Sequence, residues 1–367
     1  MIVFIAPYPD ERSERDGMMQ RIAAIDAIFA AAPRTYLRVS FWRKRRAVCS
    51  RGMITIERVN FFLHHRYILR RLREAKWIFV HSARNAIRIL SFLRAFRAKA
   101  IIDIHGVAPE EIRFVGKPLR ALIYQLVESV MVRDSSLLLF VTHKMQQHFI
   151  RKYPHVKNCR AGMILPNFDL RLAREKVAFN RERTSDILRL VYAGGTDKWQ
   201  NLDLMLRTLD HLATSLRRKW QASIFLPQTA VGEVQSNVDQ LRCRDCVEVA
   251  SLSHDEVIAR YNMMDIGFVL RDPTLLNEVA MPTKLVEYLM YGVVPVVLSP
   301  ELGDLMKYGY KYLTLQDLLE GHKLDHGTLA AMRQSNFEIV ASLRTSAEEA
   351  SNRLARYLGL ASSGALS

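Results

Sequence analysis

Residues 265–297 read DIGFVLRDPTLLNEVAMPTKLVEYLMYGVVPVV and contain one complete strand–helix–strand unit. The apolar strand ends at Arg271, a polar loop follows, and Pro282 precedes a helix that we expect to begin near Thr283. Gly292 is placed to end this helix, and Pro295 begins the next strand. Short apolar strands without polar alternation are typical of a parallel sheet that is covered on both faces.

The same alternation of strand and helix extends over nearly the whole chain, which predicts a doubly wound α/β fold. In the second half we predict strands at Leu188–Ala193, Ala222–Leu226, Val247–Ala250, Ile266–Leu270 and Val294–Leu298. In the first half we predict strands at Ile2–Ala6, Tyr36–Ser40, Met53–Glu57, Trp77–His81, Ala100–Ile104, Leu137–Thr142 and Met163–Leu165. Helices are predicted between them, among others at Met18–Ala31, Asn60–Glu74, Leu119–Arg133, Asn201–Arg218, Asp255–Met263, Thr283–Tyr291 and Thr328–Leu358.

The length of 367 residues predicts two domains, because single hydrophobic cores rarely grow beyond about 250–300 residues. We predict an N-terminal Rossmann-like domain over residues 1–168 and a C-terminal one over residues 169–345. A helix and tail over residues 346–367 are expected to pack back on the first domain. The polar stretch that follows Pro166 is the expected hinge, and ligands of such sheets bind outside the carboxyl ends of the strands.

The sequence predicts neither a membrane-spanning protein nor one stabilised by disulfides. We find no apolar run long enough to span a membrane, and the opening run Met1–Pro7 lacks the basic leader of a signal peptide. Four cysteines do not form a disulfide framework, so we expect a cytoplasmic protein. Cys243 and Cys246 form a lone CxxC without a second pair, which favours structural cysteines over a metal or redox site.

The charge is divided unevenly between the two halves. Residues 1–168 contain 30 basic and 12 acidic residues, a net charge of +18, whereas the whole chain carries +16. An excess of this size attracts anionic partners such as acidic lipid, phosphorylated lipid or nucleic acid. Recognisable nucleic-acid-binding motifs are missing from the sequence, so a nucleic-acid partner is not expected.

A second motif lies in residues 188–201, LRLVYAGGTDKWQN, where an apolar strand runs into a pair of glycines before a helix. Gly194 and Gly195 allow backbone N–H groups to approach a phosphate closely, and the next helix offers its positive end. Thr196 adds a hydroxyl and Lys198 a charge. An ordinary strand-to-helix turn would show the same glycine pair, so this motif alone leaves both interpretations open.

Lys284 and Glu287 lie three residues apart, on one face of the helix predicted from Thr283. A carboxylate near the helix start can accept hydrogen bonds from two ribose hydroxyls, while Lys284 and the free N–H groups face a pyrophosphate. The alternative is an ion pair on the protein surface, worth at most about 1 kcal/mol.

These two motifs resemble the donor-binding segments of GT-B retaining glycosyltransferases of the family-four type, over about Leu188 to Leu298. The resemblance implies that Gly194, Gly195, Thr196, Arg271, Thr283 and Glu287 bind a nucleotide-sugar donor. It also implies catalysis by positive charge at the leaving diphosphate, for which we predict Lys198 and Lys284. Two departures from the family pattern are visible: Val279 replaces the first glutamate, and Thr196 replaces an Arg after the glycines.

His105 follows the apolar run Ala100–Ile104 and precedes Gly106, so it lies at the carboxyl end of a predicted strand. Members of the family carry a His in a comparable place that contacts the donor sugar. The resemblance therefore implies a catalytic His105, oriented by Asp103, and a structural histidine is the alternative.

Acceptor and membrane contacts are expected in the first half. The loop before the helix at Met18 contains Asp16 and Gly17, which would contact the acceptor or form a solvated loop, and Glu110 is a further acceptor candidate, together with Glu111. The basic stretches 41–46 and 60–73 suit an anionic membrane or a solvated basic face. In these stretches we name Arg43, Arg45, Arg70 and Arg71.

The resemblance thus implies a glycosyltransferase that moves a sugar, with retention, from a nucleotide-sugar to a lipid-linked or polysaccharide acceptor. Bacterial surface polysaccharide or lipopolysaccharide biosynthesis at the inner face of the cytoplasmic membrane would fit. No cofactor and no metal ion are expected. A nucleotide-sugar epimerase of the same fold, a non-catalytic nucleotide-sugar-binding partner and a degenerate transferase are the alternatives.

Overall fold

A computed structural model describes residues 1–9, 17–171 and 186–360. These residues form two compact units. The first consists of residues 1–9, 21–167 and 346–360, and the second of residues 17–20, 168–171 and 186–345. Most of the predicted hinge, residues 172–185, lies outside the described residues.

The first unit is built on a mixed sheet. Its described strands are β1 (Ile2–Ile5), β2 (Arg34–Ser40), β3 (Ala47–Arg51), β4 (Ile54–Asn60), β5 (Trp77–His81), β6 (Ala100–Ile104), β7 (Leu137–Phe140) and β8 (Met163–Ile164). They are arranged in the order β3-β4-β2-β1-β5-β6-β7-β8. The helices that connect them are α1 (Gly17–Ile28), α2 (His65–Glu74), α3 (Ser82–Ala86), α4 (Leu90–Leu93), α5 (Ala108–Phe114), α6 (Pro118–Arg133), α7 (His143–Lys152) and α8 (Lys157–Ala161).

One strand of this sheet departs from the predicted parallel arrangement. β3 pairs antiparallel with β4 at the edge of the sheet and is exposed along its length. The turn between them uses Gly52 at φ +55°, a conformation that glycine adopts readily. An exposed edge strand needs no apolar face, which explains why the sequence pattern did not predict it.

The second unit has a sheet of six described strands, all parallel, in the order β11-β10-β9-β12-β13-β14. The strands are β9 (Leu188–Ala193), β10 (Trp220–Phe225), β11 (Val247–Ala250), β12 (Ile266–Val269), β13 (Val294–Val297) and β14 (Leu313–Thr314). The helices are α9 (Leu202–Ser215), α10 (Gln228–Val238), α11 (His254–Tyr261), α12 (Leu275–Val279), α13 (Thr283–Met290), α14 (Leu305–Tyr308), α15 (Leu315–Leu319) and α16 (His326–Tyr357).

α13 lies unusually close to the sheet, and this closeness positions the candidate site. A Cβ atom at Gly267 would lie 2.3 Å from the ring of Tyr288, so only glycine on β12 admits this ring. The Tyr288 hydroxyl also accepts the N–H of Ala193 at 3.3 Å. Gly292, at φ +67°, ends the helix as predicted.

The end of α16 belongs to the first unit from Ser346 onward. There Trp77 Nε1 donates to the Leu358 carbonyl at 3.1 Å, and its ring lies 5.5 Å from that of Tyr357. Residues 361–367 lie outside the described residues. No helix among residues 1–9, 17–171 and 186–360 is long and apolar enough to cross a membrane.

Candidate functional site

The glycine pair follows β9 at the carboxyl end of the second sheet. Gly194 has φ +155°, and a Cβ atom there would lie 2.8 Å from Lys284 Nζ. Glycine is therefore required twice, for its backbone conformation and for the approach of the lysine. Gly195 follows, and its carbonyl accepts the hydroxyl of Tyr192. The two sequence motifs, about 90 residues apart, thus meet at one point of the second unit.

Lys284 is buried within the first turn of α13. Its Nζ atom donates to Gln200 Oε1 at 3.0 Å and lies 3.8 Å from the centroid of the Tyr192 ring. Burial, followed by the neighbouring charge of Arg271, holds the pKa of Lys284 well below the ordinary value of a lysine. The site therefore contains a cation at a position that disfavours its own charge.

Arg271 lies two residues after the end of β12 and is half-buried. Its guanidinium donates to Asn277 Oδ1 at 3.4 Å. The loop that carries it is tied to the glycine loop by Asn201, whose side-chain amide donates to the Leu270 carbonyl at 3.0 Å and to Asp272 at 2.9 Å. The loops after β9 and β12 are thus connected at the edge where both strands end.

Glu287 is buried one turn after Lys284. Its Oε1 atom lies 2.9 Å from His254 Nε2, and its Oε2 atom accepts the Tyr261 hydroxyl at 3.4 Å. His254 begins α11, whose N-terminus is capped by Ser253. Burial of both Lys284 and Glu287 excludes the alternative of an ion pair on the surface.

The remaining predicted donor residues are Thr196, Lys198 and Thr283. Thr196 is exposed after the glycines, and Lys198 is exposed on a short 3-10 turn, Lys198–Gln200, before α9. Thr283 is the first residue of α13 and is half-buried. Gly194 and Gly195 form the loop after β9, next to Lys284, whereas Glu287 contacts His254 and Tyr261 of α11.

His105 follows β6 directly in the first unit and is partly exposed. Its Nδ1 atom lies 3.0 Å from Asp103 Oδ2, and His81 Nδ1 lies 3.1 Å from the same oxygen. Arg21 donates to the other oxygen of Asp103 at 2.9 Å, and also to the carbonyls of Leu165 and Pro166. A buried carboxylate thus orients His105 at the carboxyl edge of the first sheet.

The electrostatics of this cluster keep Asp103 ionised. Burial alone would raise the pKa of Asp103, but the charge of Arg21 and the hydrogen bonds with the two histidines outweigh it and hold this pKa well below its ordinary value. His81 is fully buried, and burial lowers its pKa in spite of the bond to Asp103. Burial therefore favours the neutral form of His81.

The two acidic acceptor candidates differ in their surroundings. Glu110 accepts Lys152 Nζ at 2.8 Å and lies 3.5 Å from His148 Nε2. Burial would raise its pKa, but hydrogen bonds from these two residues lower it to about 2. Glu111 approaches Gly106 next to His105: a Cβ atom on Gly106 would lie 2.5 Å from Glu111 Oε1. Burial raises the pKa of Glu111.

Among the predicted membrane cations, Arg43 and Arg45 lie in an exposed loop and Arg70 is exposed on α2. Arg71 instead pairs with the buried carboxylate of Glu57, so its charge is used inside the first unit. Gly17 begins α1, and Asp16 lies outside the described residues.

Sequence reasoning missed several residues of the two clusters: Arg21, His81, Tyr192, Gln200, Asn201, His254 and Tyr261. Of these residues, His81 could have been predicted, because it ends a predicted strand next to the strand that carries Asp103. Nothing in the local sequence of Gln200 or His254 indicated contacts with a helix more than 30 residues away.

No model of a known protein family matches the chain, and no curated protein matches its sequence. Solved structures do match over nearly its full length. Sucrose-phosphate synthase from Thermosynechococcus elongatus aligns with a TM-score of 0.70 at 12% identity, over 98% of this chain and 98% of that one.

Two further structures are similar. Anabaena HepE, solved in complex with UDP-glucose, aligns with a TM-score of 0.69 at 14% identity, over 97% of this chain and 99% of that one. WaaG, described as a glycosyltransferase involved in lipopolysaccharide biosynthesis, aligns with a TM-score of 0.64 at 12% identity, over 96% and 99%. The chain therefore has the GT-B fold that these glycosyltransferases share, as the sequence predicted.

Proposed function

We propose that this protein is a glycosyltransferase whose second unit binds a nucleotide-sugar donor. The carrying observation is Lys284, which lies against Gly194 at the carboxyl end of β9 and whose charge is opposed by that of Arg271, after β12. Burial, and then the charge of Arg271, lower the pKa of Lys284, although Glu287 and Asp197 act in the opposite direction. A diphosphate placed here would stabilise both cations, because it supplies the anion that the site is arranged to receive.

In this proposal different parts of the donor bind to different residues around α13. The N–H groups after Gly194 and the hydroxyl of Thr196 bind the phosphates, and Glu287 accepts the ribose hydroxyls. Lys284, with Lys198 and Arg271 around it, stabilises the charge that develops on the leaving diphosphate. Protein cations thus supply the stabilisation in this scheme, without a metal ion or another cofactor.

His105 is proposed to contact the donor sugar, with Asp103 fixing its orientation. We further propose transfer with retention to a lipid-linked or saccharide acceptor, in the biosynthesis of a bacterial surface polysaccharide. Two observations support this part: WaaG is described as acting in lipopolysaccharide biosynthesis, and the first 168 residues carry a net charge of +18. We also propose a location at the cytoplasmic face of an anionic membrane, which the same charge supports.

A thermal-shift panel of UDP-, GDP-, dTDP- and ADP-sugars tests donor binding, since a ligand of the folded state stabilises it by about 2.7 kcal/mol at one hundred times its Kd. We expect one nucleotide class to stabilise the protein. Glu287→Ala should abolish that shift, whereas Glu233→Ala, on the exposed side of α10, should retain it. An unchanged shift in Glu287→Ala would refute the ribose assignment.

His105→Ala separates binding from turnover. We expect this variant to keep the donor shift and to lose transfer to an acceptor, because its ring acts on the sugar and not on the nucleotide. Turnover within a few-fold of the wild type would make His105 structural. Formation of an altered nucleotide-sugar without any acceptor would instead indicate an epimerase.

A further inference from the structure

Helix α6 leaves an apolar face uncovered in the first unit. Four side chains at helical spacing lie on its solvent side, with exposed fractions of 79% for Leu119, 59% for Leu122, 55% for Ile123 and 63% for Leu126. We call these four residues the α6 outer face. Phe114 and Val115 of the preceding segment are exposed beside the helix start. Exposed apolar patches of this kind mark interaction sites.

The opposite side of α6 already forms the core contact of the helix. Ala121, Tyr124, Val127 and Met131 are buried there. A surface helix of a globular unit needs one apolar stripe, and α6 has two. Because folding uses only the inner stripe, the α6 outer face is not explained by the stability of the unit.

The charges around the α6 outer face have one sign. Arg113, Lys117 and Arg120 are exposed at the start of the helix, and residues 113–127 contain no Asp or Glu. The first acid of the helix, Glu128, is buried and paired with Lys152. Exposed apolar side chains flanked in sequence by exposed cations match the boundary between acyl chains and anionic headgroups.

Two further exposed aromatic residues, Phe62 and Trp42, belong to the same unit. α6 packs against α4, and Phe92 of α4 lies 6.0 Å from the ring of Phe61, which precedes the exposed Phe62. Trp42, with 89% of its surface exposed, follows β2 before the basic residues Arg43 to Arg46. β2 and β4 run parallel within one sheet, so Trp42 and Phe62, which follow them, lie toward the carboxyl edge of that sheet.

We propose that the α6 outer face inserts into the headgroup–acyl boundary of an anionic lipid bilayer. The leucine and isoleucine side chains leave water, while Arg113, Lys117 and Arg120 bind lipid phosphates. This inference rests on the membrane part of the proposed function and locates it on a helix that the sequence did not single out. The apolar anchor adds a component that survives salt, because screening weakens only the charge contacts.

The test is flotation of the full chain with vesicles of phosphatidylglycerol and phosphatidylcholine, at low and at high salt. The variant is Leu122→Gln with Leu126→Gln. The matched control is Met53→Gln with Met263→Gln, two exposed apolar residues outside α6. At high salt we expect the α6 variant to partition at least about 10-fold more weakly, since two leucines no longer enter the bilayer, and the control to bind like the wild type.

Three outcomes would overturn the proposal. One is partitioning of the α6 variant within threefold of the control at high salt. Another is a wild-type protein that does not bind the vesicles at any salt concentration, which would also refute the membrane part of the proposed function. The third is a wild-type dimer in sedimentation that becomes monomeric in the α6 variant, which would assign the face to a second copy of the chain. The donor shift of the same variants reports separately on the transferase proposal, so the two failures are distinguishable.

Discussion

Replacing Lys284 with methionine removes the buried cation while keeping an unbranched side chain of similar length. In the proposed complex, Lys284 donates a charge-assisted hydrogen bond to the diphosphate, and such bonds contribute about 1.5–3 kcal/mol. We therefore expect nucleoside diphosphate to bind about 10- to 150-fold more weakly. Lys307→Met on the exposed face of α14 is the control and should bind like the wild type.

The effect on stability should be much smaller than the effect on binding. The variant loses the contact of Nζ with the Tyr192 ring and the hydrogen bond to Gln200, each worth about 0.5–2 kcal/mol. It also escapes the desolvation of a buried cation, which costs several kcal/mol. These terms oppose each other, so we expect the free energy of unfolding without ligand to change by no more than about 1 kcal/mol.

Proton linkage gives this prediction a second, independent signature. In the folded protein the pKa of Lys284 is depressed, so the unfolded chain binds more protons between that pKa and about 10.4. Stability of the free wild type should therefore rise with pH through this window, and the Lys284→Met variant should lose that part of the slope. A bound diphosphate raises the pKa of Lys284, so binding should take up a proton and weaken as pH increases.

Isothermal titration calorimetry in buffers of different ionisation enthalpy measures both the affinity and the proton uptake. The reasoning fails if the folded Lys284→Met variant binds nucleoside diphosphate within threefold of the wild type. Equal proton uptake by the wild type and the variant would also refute it, because the proton would then belong to another group.

Two further predictions concern the glycine loop and the first unit. Gly194→Ala should destabilise the protein by about 1–3 kcal/mol, because residue 194 has a φ of +155°. It should also abolish the donor shift, because the new methyl group displaces Lys284. Denaturant unfolding measures the first effect and the thermal-shift assay the second, and an unaltered donor shift would contradict the second. His81 has a depressed pKa in the folded state, so the unfolded chain binds more protons and stability falls as pH drops below about 6.5. His81→Gln should therefore reduce the pH dependence of the free energy of unfolding, measured in urea between pH 5 and 7. The same pH dependence in the variant and the wild type would assign the effect to other groups.

Elements whose pattern is decided locally were predicted well. β9 and β11 match their predicted bounds, since a short apolar run between polar loops leaves little choice of register. Helix α2 begins at His65 instead of Asn60, because the Asn60 side chain accepts the N–H groups of Phe62 and Leu63 and holds them in a turn. Such a hydrogen bond from a side chain to the backbone competes with the helix, and the sequence pattern gives little indication of it.

Contacts between distant segments were predicted only where chemistry suggested a common ligand. Lys284 and the Gly194 loop were expected in one pocket because both suited a diphosphate, and the structure places them in contact. The bonds from Gln200 to Lys284 and from His254 to Glu287 have no such signal. They depend on how α9, α11 and α13 pack on the sheet, which residue types alone do not specify.

The second unit departs from ordinary rules of folding at one place. Gly194 adopts a conformation that other residues rarely take, and Lys284 is buried next to a second cation. Around this place the packing is close, because the ring of Tyr288 rests on the bare backbone of Gly267. In the proposed function, an incoming diphosphate would stabilise the charge of both cationic side chains. Local strain and close packing therefore coincide at the residues that the proposed function assigns to the diphosphate.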